Sequence, residues 1–118
     1  MAVQRLHVEK RFSEIAISGN LVHLAGQLAS DTSLDIRGQT KQTLEIIDRF
    51  LADAGTDKSH IMSVTIYLKD IEKDYAAFNE IWDLWVSDIQ ALPRTCIEAK
   101  LYSPQVLVEL TVVAVKPE

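Results

Sequence analysis

Cysteine is nearly absent from these 118 residues, and Cys96 stands alone. An intramolecular disulfide is thereby excluded, and a cysteine-built metal site is argued against. The three histidines, His7, His23 and His60, lie far apart, at none of the spacings zinc ligands take. Glycine and proline are scarce, at four and three, and no repeat, low-complexity stretch or flexible linker is present. No run approaches the roughly 18 apolar residues of a membrane span, and no signal-peptide pattern follows Met1. A cytoplasmic protein without membrane partners is the expectation. Basic clusters are missing too: Lys and Arg number 12 against 17 Asp and Glu, a formal charge of −5. A dedicated nucleic-acid binder normally shows a basic patch, so nucleic acid is not the expected partner.

What is present is an ordinary globular composition, 47% hydrophobic and 25% charged. The length suits one domain, residues 1–118, large enough for a core of its own. Val3 to Val8 and Glu14 to Ser18 read as short strands, and Gly19-Asn20 as a tight turn into Leu21 to Ala25. From Asp35 to Ala54 the period becomes helical: Ile36, Thr40, Thr43, Leu44, Ile47, Leu51 and Ala54 share a face, and Gly55 stops the helix. Ile61 to Leu68 is a strand with Met62, Val64, Ile66 and Leu68 on one side. A second helix is expected from about Asp74 to Val86. Its stripe of Tyr75, Phe78, Ile81, Trp82 and Trp85 reads as core packing. Two further strands end the chain, and Tyr102-Ser103-Pro104-Gln105 between them reads as a hairpin. The order βββαβαββ gives an α+β sandwich with two helices on one sheet face.

Glu109 is the only charge in the run Val106 to Val115. Burying an ionised carboxylate there is costly unless a cation or donors meet it. Alternation sets Val106, Val108, Leu110, Val112 and Ala114 toward the helices and Leu107, Glu109, Thr111, Val113 and Val115 away from them. A hairpin that pairs like faces brings Arg94, Cys96 and Glu98 to the side of Glu109, with Thr95 and Ile97 toward the helices. That mixed face suits neither solvent nor core, which implies homo-oligomerisation through the sheet with polar cavities left between copies.

The pattern is similar to that of the RidA (YjgF/YER057c/UK114) family, nearer its YoaB-like branch than RidA proper. The resemblance spans about Phe12 to Val115. It is carried by Gly19-Asn20, Leu24-Ala25-Gly26-Gln27, Gly38-Gln39-Thr40, Ala54-Gly55, Thr65-Ile66-Tyr67-Leu68-Lys69-Asp70, Phe78-Asn79, Pro93-Arg94-Thr95-Cys96 and Val108-Glu109-Leu110. It implies a chorismate-mutase-like homotrimer with a central barrel and clefts between subunits. The implied activity is an enamine/imine deaminase, a hydrolase acting on small carboxylate-bearing imines and releasing 2-oxo acids, with no metal and no organic cofactor. By the same resemblance Arg94 anchors the substrate carboxylate and Glu109 acts in catalysis. Cys96, Asn79, Gly26 and Phe12 line the substrate site. Phe12 stands where the deaminases carry a tyrosine and Ala25 where they carry a serine, so two hydroxyls are lost. The alternative those losses favour is a non-catalytic carboxylate-binding or regulatory protein of the same fold.

Overall fold

The structure, a computed structural model, describes residues 2–118. The elements follow the expected order: β1 (Gln4–Val8), β2 (Ser13–Ser18), β3 (Leu21–Gln27), α1 (Ile36–Asp53), a 3-10 turn (Lys58–His60), β4 (Ile61–Leu68), α2 (Ile71–Trp85), β5 (Arg94–Glu98) and β6 (Val108–Val115). Gly19-Asn20 closes the β2–β3 hairpin, with Ser18 opposite Leu21.

Local chemistry sets the helix ends. The Asp35 carboxylate accepts from the Gly38 N–H at 2.9 Å, satisfying one of the orphan donors of the first turn of α1. At the far end Gly55 takes φ 85, and the Thr56 and Gly55 N–H groups reach back to the carbonyls of Leu51 and Ala52. That is a Schellman closure, which favours glycine at this position. Helix α2 starts earlier than its aromatic stripe suggests. Asp70 is its N-cap, accepting from the Lys73 N–H at 3.1 Å, so the helix begins at Ile71 rather than near Asp74. Asn79 therefore lies mid-helix.

The six strands run in the order β1-β2-β3-β6-β4-β5. Strand β6 lies between β3 and β4, antiparallel to both, and β5 pairs parallel with β4 at the edge. The expected β5–β6 hairpin is thus not formed. Parallel neighbours need a crossover, and α2 supplies it between β4 and β5. The chain then returns to place its most apolar strand at the centre, leaving the charged β5 on the edge, where polar residues are tolerated.

Both helices cover one face. Ile15, Val22, Ile66, Leu68, Leu110 and Val112 pack there against Leu44, Ile47 and Leu51 of α1 and Phe78 and Trp82 of α2. The face assignment in β4 shifts at its start. Ile61 pairs with Ala114 and Ser63 with Val113, so Met62 is the extra residue of a bulge. Ile61 is consequently buried and Met62 is 56% exposed, the reverse of the expected alternation. Gln39, fully buried on α1, ties the connections together. Its Nε2 lies within hydrogen-bond reach of the carbonyls of Thr32, Leu34 and Gln105, and its Oε1 accepts from the Leu107 N–H at 3.0 Å. The chain measures 43 × 35 × 20 Å. Its short dimension matches one helix layer on one sheet, so the second sheet face is bare.

Candidate functional site

Arg94 opens the edge strand β5 and points under α2. Its Nη2 donates to Asn79 Oδ1 at 2.8 Å and to the Tyr75 hydroxyl at 3.2 Å. The guanidinium carbon lies 5.2 Å from the Trp82 ring, 5.9 Å from Tyr75 and 6.0 Å from Phe78. Three aromatic faces therefore hold the cation by cation–π attraction and leave it half-buried. Its Nη1 is buried with no acceptor among the described residues. Buried donors normally have partners, so this nitrogen is an unsatisfied donor packed inside the cage and closed to solvent. Arg94 lines a cavity of about 550 Å³ together with Ile71, Glu72, Tyr75 and Cys96. Burial pushes the Cys96 thiol up, opposed by the Arg94 charge, so the sulfur keeps its proton. Glu98 is held by the α2 terminus: its Oε1 accepts from the Ile71 N–H at 3.0 Å rather than pairing with a cation.

The sheet register corrects the expected grouping. Val64 pairs with Arg94 and Val112, Ile66 with Cys96 and Leu110, and Leu68 with Glu98 and Val108. Arg94, Cys96 and Glu98 therefore project on the helix side. Tyr67 pairs with Ile97 and Glu109, and Thr65 with Thr95 and Thr111. Glu109 and Thr111 therefore project on the bare side, with Thr95 and the 42% exposed Ile97. Arg94 and Glu109 lie on opposite faces of the β-layer, contrary to the hairpin-based expectation. A hairpin would have aligned their faces; the parallel β4–β5 pairing sets them apart. Arg94 is accommodated on the helix side because the α2 aromatics and Asn79 receive it.

On the bare face Glu109 meets Gly26. A Cβ added at Gly26 would collide with the Glu109 carboxylate, whose Cδ would be 2.9 Å away. Gly26 has no left-handed backbone, so what this position supplies is space for that carboxylate. The register of β3 against β6 shifts between Leu24 and Gln27, which turns this segment. Beside it the Gln27 amide donates to Glu14 Oε1 at 3.0 Å. Glu109 is half-buried, and desolvation pushes its carboxyl above the ordinary carboxylate range.

The residues singled out in the sequence thus form two groups. Arg94 and Cys96 line the cavity under α2, Asn79 lies behind them as the acceptor that holds Arg94, and Gly26 and Glu109 gather on the opposite face. Phe12, 52% exposed in the β1–β2 turn, is outside the cavity lining. Sequence reasoning missed Ile71, Glu72 and Tyr75 as cavity residues. The signal was Asp70: as N-cap it places Ile71, Tyr75 and Asn79 at helical i, i+4 spacing along one face. Tyr75, assigned to the core stripe, is 43% exposed at the cavity mouth. Among the described residues no group of His, Cys, Asp and Glu is arranged to hold a metal ion, and no helix is long and apolar enough to cross a membrane.

A family profile described as Endoribonuclease L-PSP matches residues 2–116. A RutC family protein of Haemophilus ducreyi is 43% identical over 112 residues, covering 95% of each chain. The RutC family protein YoaB of Escherichia coli is 36% identical over 114 residues, 97% of this chain and 98% of that one. Among solved structures, a YjgF family member from Neisseria meningitidis superposes with a TM-score of 0.95 at 36% identity, covering 100% of this chain and 98% of its own.

Proposed function

Since the chain belongs to the endoribonuclease L-PSP family, the YjgF/RidA group, we propose that it hydrolyses 2-imino acids and their enamine tautomers to 2-oxo acids and ammonium. The observation carrying this reading is Arg94: a guanidinium held by Asn79, Tyr75 and the α2 aromatics at the wall of a cavity of about 550 Å³. Its planar fork suits a carboxylate better than any other charged group of the substrate.

Glu109 is the acid–base group, and it reaches the substrate from a second copy of the chain. The mixed bare face, with Leu107, Thr111, Val113 and Val115 half-buried around Glu109, supports association through the sheet. A homotrimer brings the bare face of one subunit to the α2–β5 cavity of the next. In that arrangement water attacks the iminium carbon while Glu109 takes its proton. The carbinolamine takes that proton on nitrogen, its one remaining O–H gives its proton to Glu109 as the carbonyl forms and ammonia leaves, and ammonia collects that proton as ammonium. One water is consumed, and one 2-oxo acid and one ammonium appear. The imine carbon is already electrophilic, so the residues named suffice for the step. Cys96 lines the pocket and is not the nucleophile, since no histidine base accompanies it.

The second reading is a carboxylate-binding protein without turnover. The placement of Glu109 on the far face favours it, because the Arg94 cavity of a single chain holds no oriented general base. Keto-acid release from an imine generated in situ separates the two. Acceleration by the wild type and its loss in Arg94→Ala and Glu109→Gln support the deaminase. Binding of a 2-oxo acid lost in Arg94→Ala, with no acceleration for any imine, supports the binder. Ribonuclease activity, which the family description names, fits poorly with a charge of −5 and an acidic cavity mouth.

A further inference from the structure

The charges around the Arg94 cavity bear on which side chain its ligand carries. Among the described residues Arg94 is the only cation lining it, and one guanidinium accommodates one carboxylate. The Tyr75 oxygen accepts from Arg94 Nη2, which leaves the phenol proton free to donate toward that same carboxylate. Beyond these two groups the wall is Ile71, Cys96 and the exposed carboxylate of Glu72, three residues before Tyr75 on the same helix face. Glu98 adds a second carboxylate at this end of α2, fixed there by the Ile71 N–H. A ligand that spends its α-carboxylate on Arg94 therefore directs its side chain toward a wall that carries the Glu72 carboxylate and no second cation among the described lining residues.

Resting on the carboxylate anchor proposed above, we infer that the site takes 2-imino and 2-oxo monocarboxylates with neutral or cationic side chains and discriminates against dicarboxylates, with Glu72 as the residue that reads side-chain charge. Arg94 and Tyr75 hold the common end of every ligand. Glu72 repels a second carboxylate and attracts a guanidinium or ammonium. Because Glu72 is exposed, its effect is screened by salt.

Isothermal titration of the full chain with 2-oxobutyrate, 2-oxoglutarate and 2-oxo-5-guanidinopentanoate tests this. The wild type is expected to bind 2-oxoglutarate about threefold to fivefold more weakly than 2-oxobutyrate, and the guanidino acid at least as tightly as 2-oxobutyrate. The spread narrows at high salt. Glu72→Gln compresses it, and Glu72→Lys reverses the order of the dicarboxylate and the guanidino acid. Both variants alter a solvated helix position, and circular dichroism verifies that they fold. An order unchanged in Glu72→Lys, or a dicarboxylate bound as well as 2-oxobutyrate by the wild type, overturns the inference and leaves the carboxylate anchor standing. Failure of all three acids to bind wild type better than Arg94→Ala removes the anchor, and the inference with it.

Discussion

Arg94 is held by Asn79, by the hydroxyl and ring of Tyr75 and by the rings of Phe78 and Trp82, so its geometry is fixed before any ligand arrives. Arg94→Lys keeps the charge and loses the fork. Binding of a 2-oxo acid is expected to fall by roughly tenfold to a hundredfold, measured by calorimetry, since charge-assisted hydrogen bonds contribute about 1.5–3 kcal/mol. Cys96 sits in the same cavity with its thiol raised by burial. Its alkylation by iodoacetamide should be slow near neutrality and accelerate only above the ordinary cysteine range. Fast labelling at neutral pH would contradict the environment described. Glu109 offers a pH test with a definite sign. Burial raises its carboxyl in the folded chain relative to the unfolded one, so folding binds a proton more tightly. The associated stability is fully present below the ordinary glutamate range and lost as pH rises through the raised value. In urea titrations of dilute, unassociated protein, Glu109→Gln should lose less stability across that window than the wild type. Equal pH slopes would refute this.

The elements depend on a few backbone contacts that side-chain chemistry fixes. Gly55→Ala must either adopt φ 85 with a Cβ or break the closure of α1, so a loss of about 1 kcal/mol is expected in urea unfolding. Gln39→Leu removes the amide that joins α1 to the segment entering β6 and orphans the Leu107 N–H. About 3 kcal/mol should be lost, an effect of buried unpaired groups rather than of volume. Legibility in the sequence follows the same physics. Helix α1 was readable from Asp35 to Ala54 because its period and the glycine stop at Gly55 agree, and the Asp35 cap is added by the structure. The apolar half of β6 was readable because strict alternation survives burial. The position of β5 was not, because a short connection through Ser103-Pro104 resembles a turn while its ends join an edge strand to a central one. That single misplacement reversed the face assigned to Arg94. Asp70 as N-cap was legible but overlooked, and with it Ile71, Glu72 and Tyr75.

For the molecule as a whole, opposite faces make the proposed site a property of the assembly. Mixing unfolded Arg94→Ala and Glu109→Gln chains and refolding them together tests it directly. If each site takes Arg94 from one copy and Glu109 from another, random association restores roughly a quarter of the wild-type sites, although neither variant is active alone. Zero recovery in a mixture shown to contain hybrid oligomers would exclude a shared site. Light scattering should report a mass three times that of the chain, and a monomer at micromolar concentration would argue against association through the sheet.

Strand β6, the sixth in chain order, is the one that joins β3 to β4. While the polypeptide is being made, the β1–β3 meander and the β4–α2–β5 unit both wait with unsatisfied edges and an incomplete interior. Closure depends on partners far apart in the chain, which makes folding slow relative to local hairpins. Nascent chains stalled before Val108 should therefore stay protease-sensitive and dependent on chaperones, and become resistant only once Val115 has cleared the exit tunnel.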